Sequence, residues 1–187
     1  MAVESGNEEV RNSLLNRGLT DEEVIDSFTN ARRYGLYTYG NAILALPGTK
    51  FSNDLETFRF VKSLKMTVPT FTIFSPFPRT SLYEYAKERG ELPDDFKFDH
   101  FGGRESALRS FSSIEKRMQL NLVYMGTLFC DIPDRFNLMI LFLLRLPLGF
   151  LYKYIGTAYM ILKLSLFIFP KTYPLNPALI FSVLSRS

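Results

Sequence analysis

The chain has 187 residues and a single cysteine, with 47% apolar and 15% aromatic residues (18 Phe, 10 Tyr, no Trp) and a net charge of +3. This composition excludes wholesale disorder, an intramolecular disulfide and a cysteine-ligated cluster built from this chain alone, and so small a charge does not signal nucleic acid. The charge is uneven, because from Phe136 onward there are five basic residues (Arg145, Lys153, Lys163, Lys171 and Arg186) and no acidic one.

Helix and strand signals alternate from the amino end to about Gly90. Residues 8–17 place Val10, Leu14 and Leu15 near one helical face, with Gly18 as the stop. Thr20-Asp21-Glu22-Glu23 reads as a capping box opening a helix to about Tyr34, with Val24, Ile25, Phe28 and Ala31 inward and Gly35 ending it. Residues 36–46 are rich in aromatic and apolar side chains and empty into Pro47-Gly48, the pattern of a buried strand followed by a loop. Asn53 is the expected cap of the next helix, where Leu55, Phe58, Val61 and Leu64 recur at helical spacing. Residues 67–74 read as another strand, and residues 81–89 as a helix stopped by Gly90. Strands separated by amphipathic helices imply βαβ units and a parallel sheet.

Between Leu92 and Phe111 the composition shifts to Asp, Gly, Phe and Ser. Ser112-Ser113-Ile114-Glu115 then opens a helix with Ile114, Met118, Leu122 and Met125 on one side, and beyond Pro133 a helical tail is broken near Pro147, Gly149, Gly156 and Pro170. The greasiest runs, residues 136–144 and 154–162, end at Arg145 and Lys163, so a membrane span requires those charges to snorkel or pair. Two readings of the tail stay open: a segment lying in the headgroup region of an anionic membrane, or a helical cap buried on protein. The amino end has neither the basic flank nor the apolar core of a secretory signal, so the expected location is cytoplasmic, with the tail as a peripheral contact at the inner membrane face on the first reading.

Three strings stand at expected strand ends: Glu4-Ser5-Gly6-Asn7, Leu46-Pro47-Gly48 and Ile73-Phe74-Ser75-Pro76-Phe77-Pro78-Arg79-Thr80-Ser81-Leu82-Tyr83. Carboxyl ends of parallel strands are where ligands bind. Glu4 and Ser5 offer a carboxylate and a hydroxyl to ribose hydroxyls or an ammonium group, and Gly48 allows close backbone approach while Pro47 stiffens the turn. Ile73 and Phe74 can wall an adenine, with Pro76 stiffening the exit. Each has a plainer role open to it: Glu4 as support for the following helix, Pro47-Gly48 as an ordinary turn, Ile73, Phe74 and Pro76 as core and turn. His100, the one histidine, reads as a surface or packing residue and Cys130 as a buried thiol.

Together with Leu14-Leu15-Asn16-Arg17-Gly18-Leu19-Thr20, the first string resembles the GIESGNE…L.R..T segment of radical S-adenosylmethionine enzymes, particularly the subgroup with an upstream cobalamin-binding domain. Ile43-Leu44-Ala45-Leu46-Pro47-Gly48 is similar to that subgroup's IGLPGET, and residues 74–83 to its FYPYPGTPLY. The resemblance covers about residues 1–90. The chain departs from it at Ala45 and Arg79, where the family has Gly, and at Thr49, where it has Glu.

The resemblance implies an α/β fold: residues 1–90 as the carboxyl-terminal portion of a partial (β/α) barrel of TIM type, residues 91–111 as a linker or lid, and residues 112–187 as a helical, hydrophobic, basic tail. It implies S-adenosylmethionine held by Glu4, Ser5, Asn7, Leu46, Pro47, Gly48, Ile73, Phe74 and Pro76. It further implies a 4Fe-4S cluster on a C-x3-C-x2-C motif, reductive cleavage of the cofactor to a 5′-deoxyadenosyl radical, and cobalamin as a further cofactor. This chain has no such cysteine motif. The expectation is therefore the rear half of an enzyme, inactive alone, whose partner is a missing amino-terminal half or neighbouring domain and whose substrate is a small molecule, hydrophobic in some members. The other reading kept is a non-catalytic membrane-surface or interaction protein derived from such an enzyme.

Overall fold

The computed structural model describes residues 2–98 and 105–169. Three strands, β1 (Ala2–Glu4), β2 (Tyr39–Leu44) and β3 (Val68–Ile73), pair in parallel in the order β1-β2-β3. The connections carry α1 (Asp21–Arg33) and α2 (Phe51–Ser63), as parallel neighbours require. β3 is an edge strand and accordingly tolerates Pro69, whose carbonyl accepts a 2.7 Å hydrogen bond from Thr127 Oγ1. After β3 come α3 (Ser81–Glu88), α4 (Ser113–Asp131), α5 (Asn137–Arg145) and α6 (Gly149–Lys163), the last running on through a π-wound turn, Leu164–Ile168.

Local chemistry sets most helix starts. Thr20 and Ser112 both accept from the third helical amide, and Glu23 and Glu115 each reach back to the cap amide. Thr80 caps α3 by accepting from Tyr83 N. Asn53 is not the cap of α2; Lys50 stands there, and Asn53 Oδ1 reaches back to accept from Lys50 N at 3.0 Å. Residues 8–17 do not form the expected α-helix but a short π-wound turn, Val10–Leu14, because buried Arg11 is drawn inward onto carbonyls and Asp21. Gly156 does not break the tail; it lies within α6, where a Cβ would come 1.8 Å from the Tyr124 carbonyl oxygen of α4. Gly126 of α4 likewise lets Phe71 of β3 press in, a Cβ there meeting the ring at 2.3 Å.

One hydrophobic core joins these parts: Val24 and Phe28 of α1, Ala42 and Leu44 of β2, Phe58 and Val61 of α2, Leu122 and Phe129 of α4, and Ile140 and Leu144 of α5. Residues before position 91 and after position 111 thus share it.

The described residues do not form the expected section of a (β/α) barrel. The fold is helix-rich, with a small open sheet of three parallel strands. Adjacent strands turn by roughly 20–25°, so three cannot curve far toward closure. Beyond β3 the place of a further strand is taken by α4, which lies against β3 and α2. Alternating strand and helix signals dictate parallel pairing, but they specify neither the number of strands nor closure. His100 lies outside the described residues.

Candidate functional site

At Glu4 the backbone turns left-handed (φ +60°), and Ser5 N bonds the Val3 carbonyl at 2.8 Å, folding the loop over the end of β1. Gly6 sits against α2, where a Cβ would be 2.6 Å from Thr57 Cα, and its amide donates to Thr57 Oγ1 at 3.0 Å. Asn7 Oδ1 accepts from Val10 N at 2.9 Å and its Nδ2 donates to Glu56 Oε2 at 2.9 Å. Beneath them Arg11, fully buried, donates to the Ser5 carbonyl (2.9 Å), the Leu19 carbonyl (3.1 Å) and Asp21 (2.6 Å). A buried guanidinium that spends its fork on carbonyls and a carboxylate is a structural clamp.

After β2, Ala45 is left-handed (φ +57°), and its amide donates to Asp54 Oδ1 at 2.8 Å. Asp54 Oδ2 accepts from Gln119 Nε2 of α4 at 2.7 Å, so this carboxylate ties the loop to two helices. Burial dominates its electrostatics and pushes its pKa up from the usual 3.8 to about 6, against the lowering effect of both hydrogen bonds. Gln119 Oε1 has no hydrogen-bond partner among the described residues. Gly48 (φ +74°) donates its amide to both Glu91 oxygens at 3.1 Å, and Glu91 is held in turn by Arg89 Nε at 2.7 Å and Ser110 Oγ at 3.3 Å. A Cβ on Gly48 would lie 2.7 Å from Tyr85 Oη.

After β3, Phe74 N bonds the Leu44 carbonyl at 2.9 Å, and the chain leaves through buried Pro76 and a left-handed Arg79 (φ +70°) into α3. Between these three exits lies a cleft of about 590 Å³, with Asn7, Pro47, Gly48, Thr49, Ser81 and Tyr85 among its walls and Glu9 as its acidic group. Its size suits a nucleoside-sized ligand.

Of the nine expected contact residues, Asn7, Pro47 and Gly48 line this cleft. Glu4 and Ser5 lie below it and are engaged internally: both Glu4 oxygens are gripped by Arg17, and Ser5 Oγ accepts from Asn7 N at 3.2 Å. Leu46, Ile73 and Phe74 are core residues, and Pro76 is buried beside them. Sequence reasoning missed Arg11, Asp54, Tyr85 and Glu91. Only Asp54 carried a signal, an acid in the first turn of a helix following a strand end; Glu91 meets Gly48 from 43 residues away and had none.

Among the described residues no group of three His, Cys, Asp or Glu is placed to hold a metal ion. Cys130 is half-buried, its thiol pushed up by burial and by Asp131, so it stays protonated and is a poor metal ligand. With one cysteine the chain does not fit the three-cysteine motif of an iron–sulfur cluster.

No family model matches the chain. Over 72 residues, 38% of this chain, it is 33% identical to an uncharacterized methyltransferase of Pyrococcus horikoshii, and the matched stretch is 16% of that protein. Part of this chain is thus similar to part of a protein that bears a methyltransferase name.

Proposed function

We propose that the chain is part of a radical S-adenosylmethionine enzyme of methyltransferase type, and that the cleft at the carboxyl ends of β1, β2 and β3 takes the cofactor. The observation that carries this reading is conformational. The resembled motifs place glycine at the positions of Ala45, Gly48 and Arg79, and all three have left-handed backbones, φ +57°, +74° and +70°. Glycine is the residue that such a backbone favours. The motif match is therefore supported by geometry as well as by letters, and at two of the positions, Ala45 and Arg79, that conformation is held without a glycine.

In this reading Asn7, Pro47 and Gly48 contact the cofactor, while Arg11 and Arg17 hold the first loop by binding Ser5 and Glu4. Glu9 offers a carboxylate to the sulfonium or ammonium charge. When bound, S-adenosylmethionine supplies an activated methyl group or, after one-electron reduction, an adenosyl radical. The cluster required for reduction has no ligands in this chain, and no step through it is assigned to these residues.

Chemical-shift mapping on isotope-labelled protein tests the site. Titration with millimolar S-adenosylmethionine is expected to move the amides of Asn7, Gly48, Thr49 and Tyr85. Glu9→Lys, an exposed change, is expected to weaken the response about tenfold. Shifts confined to other surfaces, or none at saturating ligand, would remove the assignment.

A further inference from the structure

The carboxyl-terminal helices are turned inside out for a protein bathed only in water. On α6 and its π-wound extension, Leu151, Ile155, Leu162 and Leu166 point outward, with relative exposures of 49%, 41%, 36% and 53%. On α5, Leu138 and Phe142 do the same at 82% and 62%. The α6 positions recur every four to seven residues and form one stripe along the helix. Polar chemistry is instead kept inward. Lys163 is buried with its ammonium 2.6 Å from Asp131, which also accepts from Tyr159 Oη at 2.7 Å, and Asn121 of α4 donates to the Leu144 and Leu146 carbonyls at 2.8 and 2.9 Å.

The segment Gly149–Ile168 is 20 residues long and apolar enough to cross a bilayer by length and composition, with only 17% of its apolar window buried. Its packing argues for lying flat. Tyr152, Gly156 and Lys163 seat it along α4, and a transverse pose would take Lys163 from Asp131 into hydrocarbon. The charge pattern chooses the occupant. Every charged residue from Phe136 to Phe169 is basic, namely Arg145, Lys153 and Lys163. A second copy of the chain would bring like charges together, whereas an anionic lipid surface meets them with opposite sign.

We propose that the outward faces of α5 and α6 form a peripheral docking surface for an anionic membrane, with Leu, Ile and Phe side chains entering the headgroup layer and Arg145 and Lys153 meeting lipid phosphates. The site is separate from the cleft, so the outcome below leaves the cofactor reading untouched.

Flotation of the full chain with vesicles tests this. Phosphatidylcholine vesicles containing about one-third phosphatidylserine are expected to carry at least about tenfold more protein upward than phosphatidylcholine alone, and about 0.5 M salt to erase most of that difference. Ile155→Glu with Leu162→Glu, both at exposed positions, is expected to abolish flotation with the circular dichroism spectrum unchanged. Arg145→Glu with Lys153→Glu is expected to remove the preference for phosphatidylserine. Absence of flotation by the unaltered chain, flotation of the Glu double variant at the unaltered level, or a vesicle-free dimer dissolved by that variant would each overturn the proposal; the last would assign the face to a second copy.

Discussion

Asp54 is the residue whose chemistry has the widest reach. Its carboxylate is deprotonated only at a desolvation cost, and its folded-state pKa stands near 6 against 3.8 in the open chain. Between those values the folded state holds more protons, so the contribution of this residue to stability is complete below about pH 4, is lost as pH rises from about 4 to about 6, and is constant above; two units correspond to about 3 kcal/mol. Urea titrations across that range check the slope. Asp54→Asn is expected to abolish it and to be the more stable protein at pH 7, since an Asn amide can donate to Gln119 Oε1 once the Gln119 amide turns over. The left-handed residues give a second test. Arg79 is exposed, so Arg79→Gly relieves a strained backbone without losing packing and is expected to raise stability by about 0.5–1 kcal/mol. Ala45→Gly relieves the same strain but removes a buried methyl, and its net effect in the same melts is expected near zero.

At the scale of elements, the joint between α4 and α6 depends on a missing side chain. The Tyr124 carbonyl occupies the place where a Cβ of residue 156 would stand, and the helix backbones cannot both remain there once a methyl is added. Gly156→Ala is expected to cost about 3 kcal/mol and to speed amide exchange along α6 while leaving β2 and β3 protected. Unchanged exchange in α6 would show that the close approach is not needed. This joint marks where sequence reading stops. The capping boxes at Thr20 and Ser112 are legible because their donors and acceptors lie within four residues, and strands β2 and β3 because their apolar runs end in turn residues. Gly156 reads as a helix breaker because nothing near it in sequence announces the neighbouring helix. The π-wound turn at Val10–Leu14 is hidden for the same reason, since its cause is Arg11 reaching Ser5, Leu19 and Asp21.

Across the whole molecule, sheet, α2, α4 and α5 contribute to one core, and this predicts a single cooperative unfolding event. Circular dichroism and tyrosine fluorescence should give superimposable denaturant curves; two separated transitions would mean that α4 to α6 melt independently of the sheet. The parallel sheet follows from the helix and strand order, but the barrel does not, because closure depends on strands from elsewhere in a chain and no local pattern reports them. The candidate site is legible in part for the same reason. Motif strings mark the strand exits, Asn7 and Pro47-Gly48 among them, while Glu91 arrives from beyond α3 and can be found only in three dimensions. Its presence at Gly48 bears on selectivity. The Gly48 amide, at the rim of the cleft, already donates to an internal carboxylate, itself held by Arg89 and Ser110. If the cleft holds a nucleoside as proposed, a triphosphate would have to displace a like-charged group from that amide, so neutral or cationic nucleosides are expected to bind ahead of ATP.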